Sequence, residues 1–141
     1  MGAFDVELSH ERLDEAVVVR VAGEIDVYTH PKVRDYLKAE VLDAEELPAY
    51  VGLEISGVEW FDSCALGVFV GFQAAFRKLR PSGGLVIVGP TEKTRKIFEI
   101  TGLVKVFPLV ESQEAFLAAV ASGEAAWAVG GAPNAEDFGG A

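Results

Sequence analysis

GVEWFDSCALGVFVG (Gly57–Gly71) holds the one place on the chain where a small hydroxyl interrupts a nearly unbroken apolar run. Before it, YVGLEIS (Tyr50–Ser56) has the composition of a β-strand. After Asp62 the apolar residues take up a helical period, which predicts a helix from Ser63 to about Arg80, closed by PSGG. GVEWFD reads as the connection between the two. A strand that gives way to a helix at Asp62–Ser63 makes this an α/β chain and puts the Ser63 hydroxyl at or next to a helix N-cap. Both Ser and Asp suit that position, where such a side chain is worth ~1 kcal/mol against Ala.

Working outward, FDVELS (Phe4–Ser9) alternates apolar and polar residues, and AVVVRVAG (Ala16–Gly23) is rich in β-branched residues. With HERLDE as a polar turn they predict a hairpin. A helix follows EIDVYTHP, with Thr29 as its cap, Pro31 in its first turn and a stripe of Val33, Leu37 and Val41, ending before Pro48. Downstream come a short strand LVIVG and a helix TEKTRKIFEITG that starts near Thr91 and stops at Gly102. KVFPLV as a short fifth strand and a helix SQEAFLAAVA capped by Ser112 complete the pattern. The order β-β-α-β-α-β-α-β-α predicts one α/β layer with a mixed sheet of about five strands and about four helices. Residues 1–121 form the domain, and residues 122–141, rich in Gly and Ala, read as a tail in which Trp127 could dock.

The chain has 141 residues, 22 acids against 12 bases and a formal charge of −10. So acidic a chain is poorly suited to nucleic acid or to an anionic membrane surface. The single cysteine, Cys64, forbids an intrachain disulfide. The N-terminal dozen residues carry acids where a signal peptide would be basic, and no apolar run is long enough to span a bilayer. A cytoplasmic protein is expected.

Enzyme motifs fare poorly. GGLVIVGPTEKT has glycines at the spacing of a phosphate-binding loop, but a strand fills the gap and Pro90 follows Gly89. His10 and His30 lack partners at metal-ligand spacing, so no metal and no cofactor is called for. Cys64 at a helix N-terminus could be a nucleophile, yet Asp62 opposes its thiolate. A small enzyme built on Cys64 is therefore the remote reading.

The helix face carries more. Ser63, Gly67, Gly71 and Ala75 recur every four residues, while Leu66, Phe69, Val70 and Phe76 suggest the core side. A mid-helix glycine costs about 1 kcal/mol against Ala. Two readings offset that: the helix packs closely on the sheet, or a partner chain approaches its backbone.

Three stretches in order resemble the STAS-domain anti-sigma factor antagonists of bacteria. They are GEIDVYTHPKVRDYL, SGVEWFDSCALGVFVG and VGPTEKTRKIFEITGLVKVFPL, and the resemblance runs from about Phe4 to Ala121. It implies a STAS-like domain that binds an anti-sigma factor serine kinase and so frees the sigma factor. It also implies that this kinase phosphorylates Ser63, which abolishes binding, and that a serine phosphatase restores it. Asp26, Thr29, Asp62, Cys64, Gly67 and Gly71 would then border the partner surface. The chain departs from the family's pattern at Cys64, usually Ser or Thr, and at Ala65, usually Gly. The competing expectation is a non-switching STAS scaffold, in a stressosome-like assembly or beside a transporter.

Overall fold

The computed structural model describes residues 5–123. A hairpin opens the fold, β1 (Glu7–Leu13) and β2 (Ala16–Ile25), turning at Asp14 and Glu15. Then come α1 (His30–Leu37), β3 (Tyr50–Phe61), α2 (Ser63–Leu79) and β4 (Gly84–Val88). The last elements are α3 (Glu92–Thr101), β5 (Leu109–Val110) and α4 (Gln113–Ser122). A turn of π-helix, Lys38–Leu42, continues α1, and a 3-10 turn, Leu103–Lys105, follows α3.

The strands lie in chain order, β1-β2-β3-β4-β5, with β1 antiparallel to β2 and every other pair parallel. Each crossover from β2 onward thus steps in the same direction. Right-handed connections then put α1, α2 and α3 on one face of the sheet. Val17, Val19 and Val21 of β2, Val51, Leu53 and Ile55 of β3, and Leu85 and Ile87 of β4 point into that layer. The opposite side chains, Ala16, Val18, Val86 and Val88, meet Phe116 of α4. Gly52 makes room for that ring, since a Cβ there would stand 2.8 Å from Phe116 Cε2.

On the three-helix side, Phe98 of α3 binds the layer together. Its ring centroid lies 5.5 Å from that of Phe61, 6.3 Å from Phe69 and 6.2 Å from Phe107. Aromatic pairs at such distances add to the burial of their area. Phe61 is the last residue of β3, so this cluster also fixes where β3 hands the chain to α2.

The structure corrects several boundaries. HERL is strand rather than turn, because β1 is a mostly exposed edge strand that needs no apolar alternation. β3 does not stop at Ser56 but runs through GVEWF to Phe61, so the expected connector is strand. Its pairing with β2 slips twice, between Arg20 and Ala22 and between Gly23 and Glu24, with β3 carrying the extra residue each time. Val58 and Phe61 both face the core three residues apart, which hides the strand from a period-2 reading. On α2, Leu66 and Val70 are only half-buried, and the buried positions are Ala65, Val68, Phe69, Phe72, Gln73 and Phe76. Thr91, Gly102 and Ser112 occupy the cap positions expected of them. Of the expected tail, Ser122 belongs to α4, whereas residues 124–141, Trp127 among them, lie outside the described residues.

Replacing Phe98 with Ala should cost about 3–5 kcal/mol, as large aromatic truncations in packed cores do. Urea unfolding of the variant checks this, and a loss near 1 kcal/mol would show that the cluster collapses to fill the space.

Candidate functional site

Side by side at the carboxyl end of the sheet, β2 and β3 finish with Ile25 paired to Phe61. One step on, the Asp62 amide donates to the Ile25 carbonyl at 3.1 Å. The loop after β2 is thereby held against the start of α2. Such ends of parallel strands are where open α/β sheets present their binding loops.

Asp62 caps α2: its Oδ1 accepts from the Cys64 amide at 2.8 Å. Ser63 is therefore the first helical residue rather than the cap. It is exposed, and among the described residues none hydrogen-bonds its hydroxyl. The two residues that looked interchangeable in sequence divide the work, one holding the helix and the other pointing to solvent.

The Asp26–Thr29 loop is rigid for a stated reason. Asp26 Oδ1 accepts from the amides of Tyr28 at 2.8 Å and Thr29 at 2.9 Å. Thr29 Oγ1 accepts from the Asp26 amide at 2.9 Å and donates to the Glu24 carbonyl at 2.8 Å. Hence the Thr29 hydroxyl does not cap α1, contrary to expectation, because it is spent inside the loop. Thr29 is also buried, so it supports the surface beside Ser63 without forming part of it. The α1 amides start instead on the Asp26 carbonyl, which accepts from His30 N at 2.9 Å.

The electrostatics around Ser63 are negative. The hydrogen bond from the Thr29 amide, opposed by burial and helped by those from the Tyr28 amide and the Thr29 hydroxyl, holds the Asp26 carboxyl below its usual range, so it is ionised. Burial first, then the charge of Asp62 and its hydrogen bond, and then Asp26, push the Cys64 thiol up. A half-buried thiol so disposed is a poor nucleophile. The hydrogen bond from the Asp62 amide to the Ile25 carbonyl sets Asp26, the next residue, near Asp62, Ser63 and Cys64.

Gly67 and Gly71 are exposed on α2, and a Cβ at either would meet nothing within 4 Å. Close packing on the sheet, one of the two explanations for these glycines, is therefore excluded. They border an open groove of about 530 Å³ between α1 and α2. Three exposed apolar side chains went unnoticed in the sequence: Val27, Tyr28 and Trp60. Val27 and Tyr28 follow β2, and Trp60 pairs with Glu24 at its end, so all three lie at the Ser63 end of the sheet. Tyr28 is 87% exposed. A strand reading of GVEWF would have flagged Trp60, since a bulged strand turns a residue outward.

Among the described residues, no cluster of three or more His, Cys, Asp or Glu could hold a metal ion, and no helix is long and apolar enough to cross a membrane. Fold and site together define a small α/β module whose distinguishing feature is one exposed serine where a sheet ends and a helix begins. The chain belongs to the STAS domain family, whose model matches residues 7–115. It is 42% identical over 94 residues to an anti-sigma-B factor antagonist of Listeria monocytogenes, covering 66% of this chain and 77% of that protein. Its identity to the anti-sigma-B factor antagonist of Staphylococcus aureus is 36% over 101 residues, 72% of this chain and 89% of that one. The crystal structure of an anti-sigma factor antagonist from Mycobacterium paratuberculosis superposes with a TM-score of 0.70 at 31% identity, covering 82% of this chain and 93% of that one.

Two outcomes follow from this geometry. Asp62→Ala should lose ~1 kcal/mol of stability while Ser63→Ala loses a few tenths at most, read from paired denaturant curves. For Asp26, a carboxyl held below its ordinary value stabilises the fold above that value, and the contribution disappears as pH falls through the folded pKa. Asp26→Asn should therefore be less stable than the parent at neutral pH, with the gap closing as pH falls through the lowered folded-state pKa. A gap independent of pH would mean that the hydrogen bonds, not the charge, matter.

Proposed function

We propose that this chain is an anti-sigma factor antagonist switched by phosphorylation of Ser63. The unphosphorylated form binds a serine-kinase anti-sigma factor in the cytoplasm and releases the sigma factor. Phosphate on Ser63 ends that binding, and a serine phosphatase restores it. The observation that carries the reading is the exposed Ser63 hydroxyl, relieved of structural duty because Asp62 supplies the cap. The names of the Listeria and Staphylococcus relatives support the antagonist role. The bordering residues are Asp26, Asp62, Cys64, Gly67 and Gly71.

Phosphorylation adds about −1.5 to −2 charges and three acceptor oxygens. The anion-binding amide of Cys64 is already occupied by Asp62, and Asp26 stands close. A phosphate here must stay in water. A docked partner would strip that water away, at a cost of several kcal/mol unless it offers a cation. About 5.5 kcal/mol is enough to turn occupancy from 99:1 to 1:99. One modification can thus control release without refolding the domain.

The test mixes the chain with each serine-kinase anti-sigma factor of its source organism and ATP-Mg, and reads phosphate by mass spectrometry. Modification at Ser63 alone is expected. Ser63→Ala should bind the kinase constitutively and Ser63→Glu at least tenfold more weakly, whereas equal binding of both would refute the switch.

A further inference from the structure

The two helices that follow β2 and β3 leave the same end of the sheet, so α1 and α2 run alongside one another. The groove between them begins beside Ser63. His30 and Cys64 stand at its head, and Lys38, Leu42 and Ala75 line the rest together with the middle of α2. Its floor is apolar, made of Leu37, Val68 and Phe72, and along α2 it is bare backbone at Gly67 and Gly71. From Ser63 to Ala75 the helix rises roughly 18 Å, a little over three turns.

The charge of the lining is the second observation. The chain carries 22 acids and 12 bases, yet the groove is lined by Arg34, Lys38 and His30 and by no carboxylate. Arg34 Nε meets its neighbour Asp35 at 3.1 Å, and Lys38 Nζ meets Asp43 at 2.9 Å. All four side chains are more than half exposed, and exposed pairs of this kind exchange readily for another acid.

We propose that this groove is the docking track for an amphipathic helix of the partner that reads Ser63, apolar along one face and acidic along its border. A helix laid in a groove reads it through residues on one face. Packed helix axes lie about 8–10 Å apart, at the short end of that range where the contact side chains are small. Gly67 and Gly71 provide that approach, the apolar floor takes the anchoring side chains, and Arg34 and Lys38 face the acids. The proposal rests on the Ser63 reading and gives it a sign. A phosphate at the head of the groove would confront a partner whose border is already negative.

The test titrates wild type, Gly71→Leu and the double variant Arg34→Glu/Lys38→Glu against the purified kinase anti-sigma factors, following affinity, salt dependence and Ser63 phosphate. Gly71→Leu should bind roughly tenfold or more weakly while melting no lower than wild type, because the site is open and Leu favours a helix more than Gly does. The double variant should bind about tenfold more weakly and with a flatter salt dependence. Gly67→Ala should raise the melting temperature, separating fold from docking.

If a kinase binds and modifies Ser63 equally well in all variants, the groove proposal falls and the Ser63 switch stands. Binding that depends on the groove without phosphate on Ser63 refutes the switch and keeps the groove. A free chain whose dimer Gly71→Leu dissolves gives the groove to a second copy and overturns the proposal. Binding by no kinase overturns both.

Discussion

The Asp62 amide donates to the Ile25 carbonyl one step beyond the last paired residues of β2 and β3, and the whole candidate surface hangs on that continuation. Had β3 ended at Ser56, six residues of loop, Gly57 to Asp62, would separate the sheet from α2, and Ser63 would have no fixed relation to Asp26. Phe61, packed on Phe98 and Phe69, stops the strand from fraying. The core thus reaches up to the residue before the cap. Rigid support beneath an exposed hydroxyl is what recognition by another protein requires, because the ordering cost is met when the domain folds rather than when the partner binds.

Division of labour between Asp62 and Ser63 is the next consequence. A serine that both capped the helix and accepted phosphate would couple the two events, so that modification would loosen the first turn of α2. Here the Cys64 amide is held by the Asp62 carboxylate and makes no call on the Ser63 hydroxyl. Under the proposed switch the domain would change charge without changing shape, and the modification would be felt across an interface instead of within the fold. The surrounding acids sharpen this. Asp26 is held ionised by the Thr29 and Tyr28 amides and offers the phosphate no internal refuge.

Much of the fold was legible because its local and long-range signals agree. Thr91 and Ser112 cap the helices that their spacing announces, Gly102 ends α3 with a left-handed backbone, and β2 reads as a buried strand because it is covered on both faces. The failures have separate physical causes. In β1 an edge strand owes nothing to the core on most of its length, so polarity there said turn. In GVEWF two bulges spaced the inward residues Val58 and Phe61 three apart, and periodicity lost the strand. Thr29 was read as a helix cap from its position ahead of Pro31, whereas its hydroxyl bonds backwards to the Glu24 carbonyl. Only coordinates reveal which of several nearby backbone groups a short polar side chain selects.

Ser63 and the glycines show the limit from the other side. Their spacing was plain, but the sequence could not say whether the bare face of α2 turned inward or outward. The absence of any atom within 4 Å of a Cβ at Gly67 or Gly71 settles that. A helix that forgoes two side chains gives up about 1 kcal/mol at each position relative to Ala. Nothing inside the domain is gained in return. Natural domains hold only a narrow margin of stability. A cost that packing does not recover points to a contact outside the chain. The groove's lining of Arg34, Lys38 and His30 on so acidic a protein would give the proposed contact its chemical character, and its head beside Ser63 would give the proposed switch its reach.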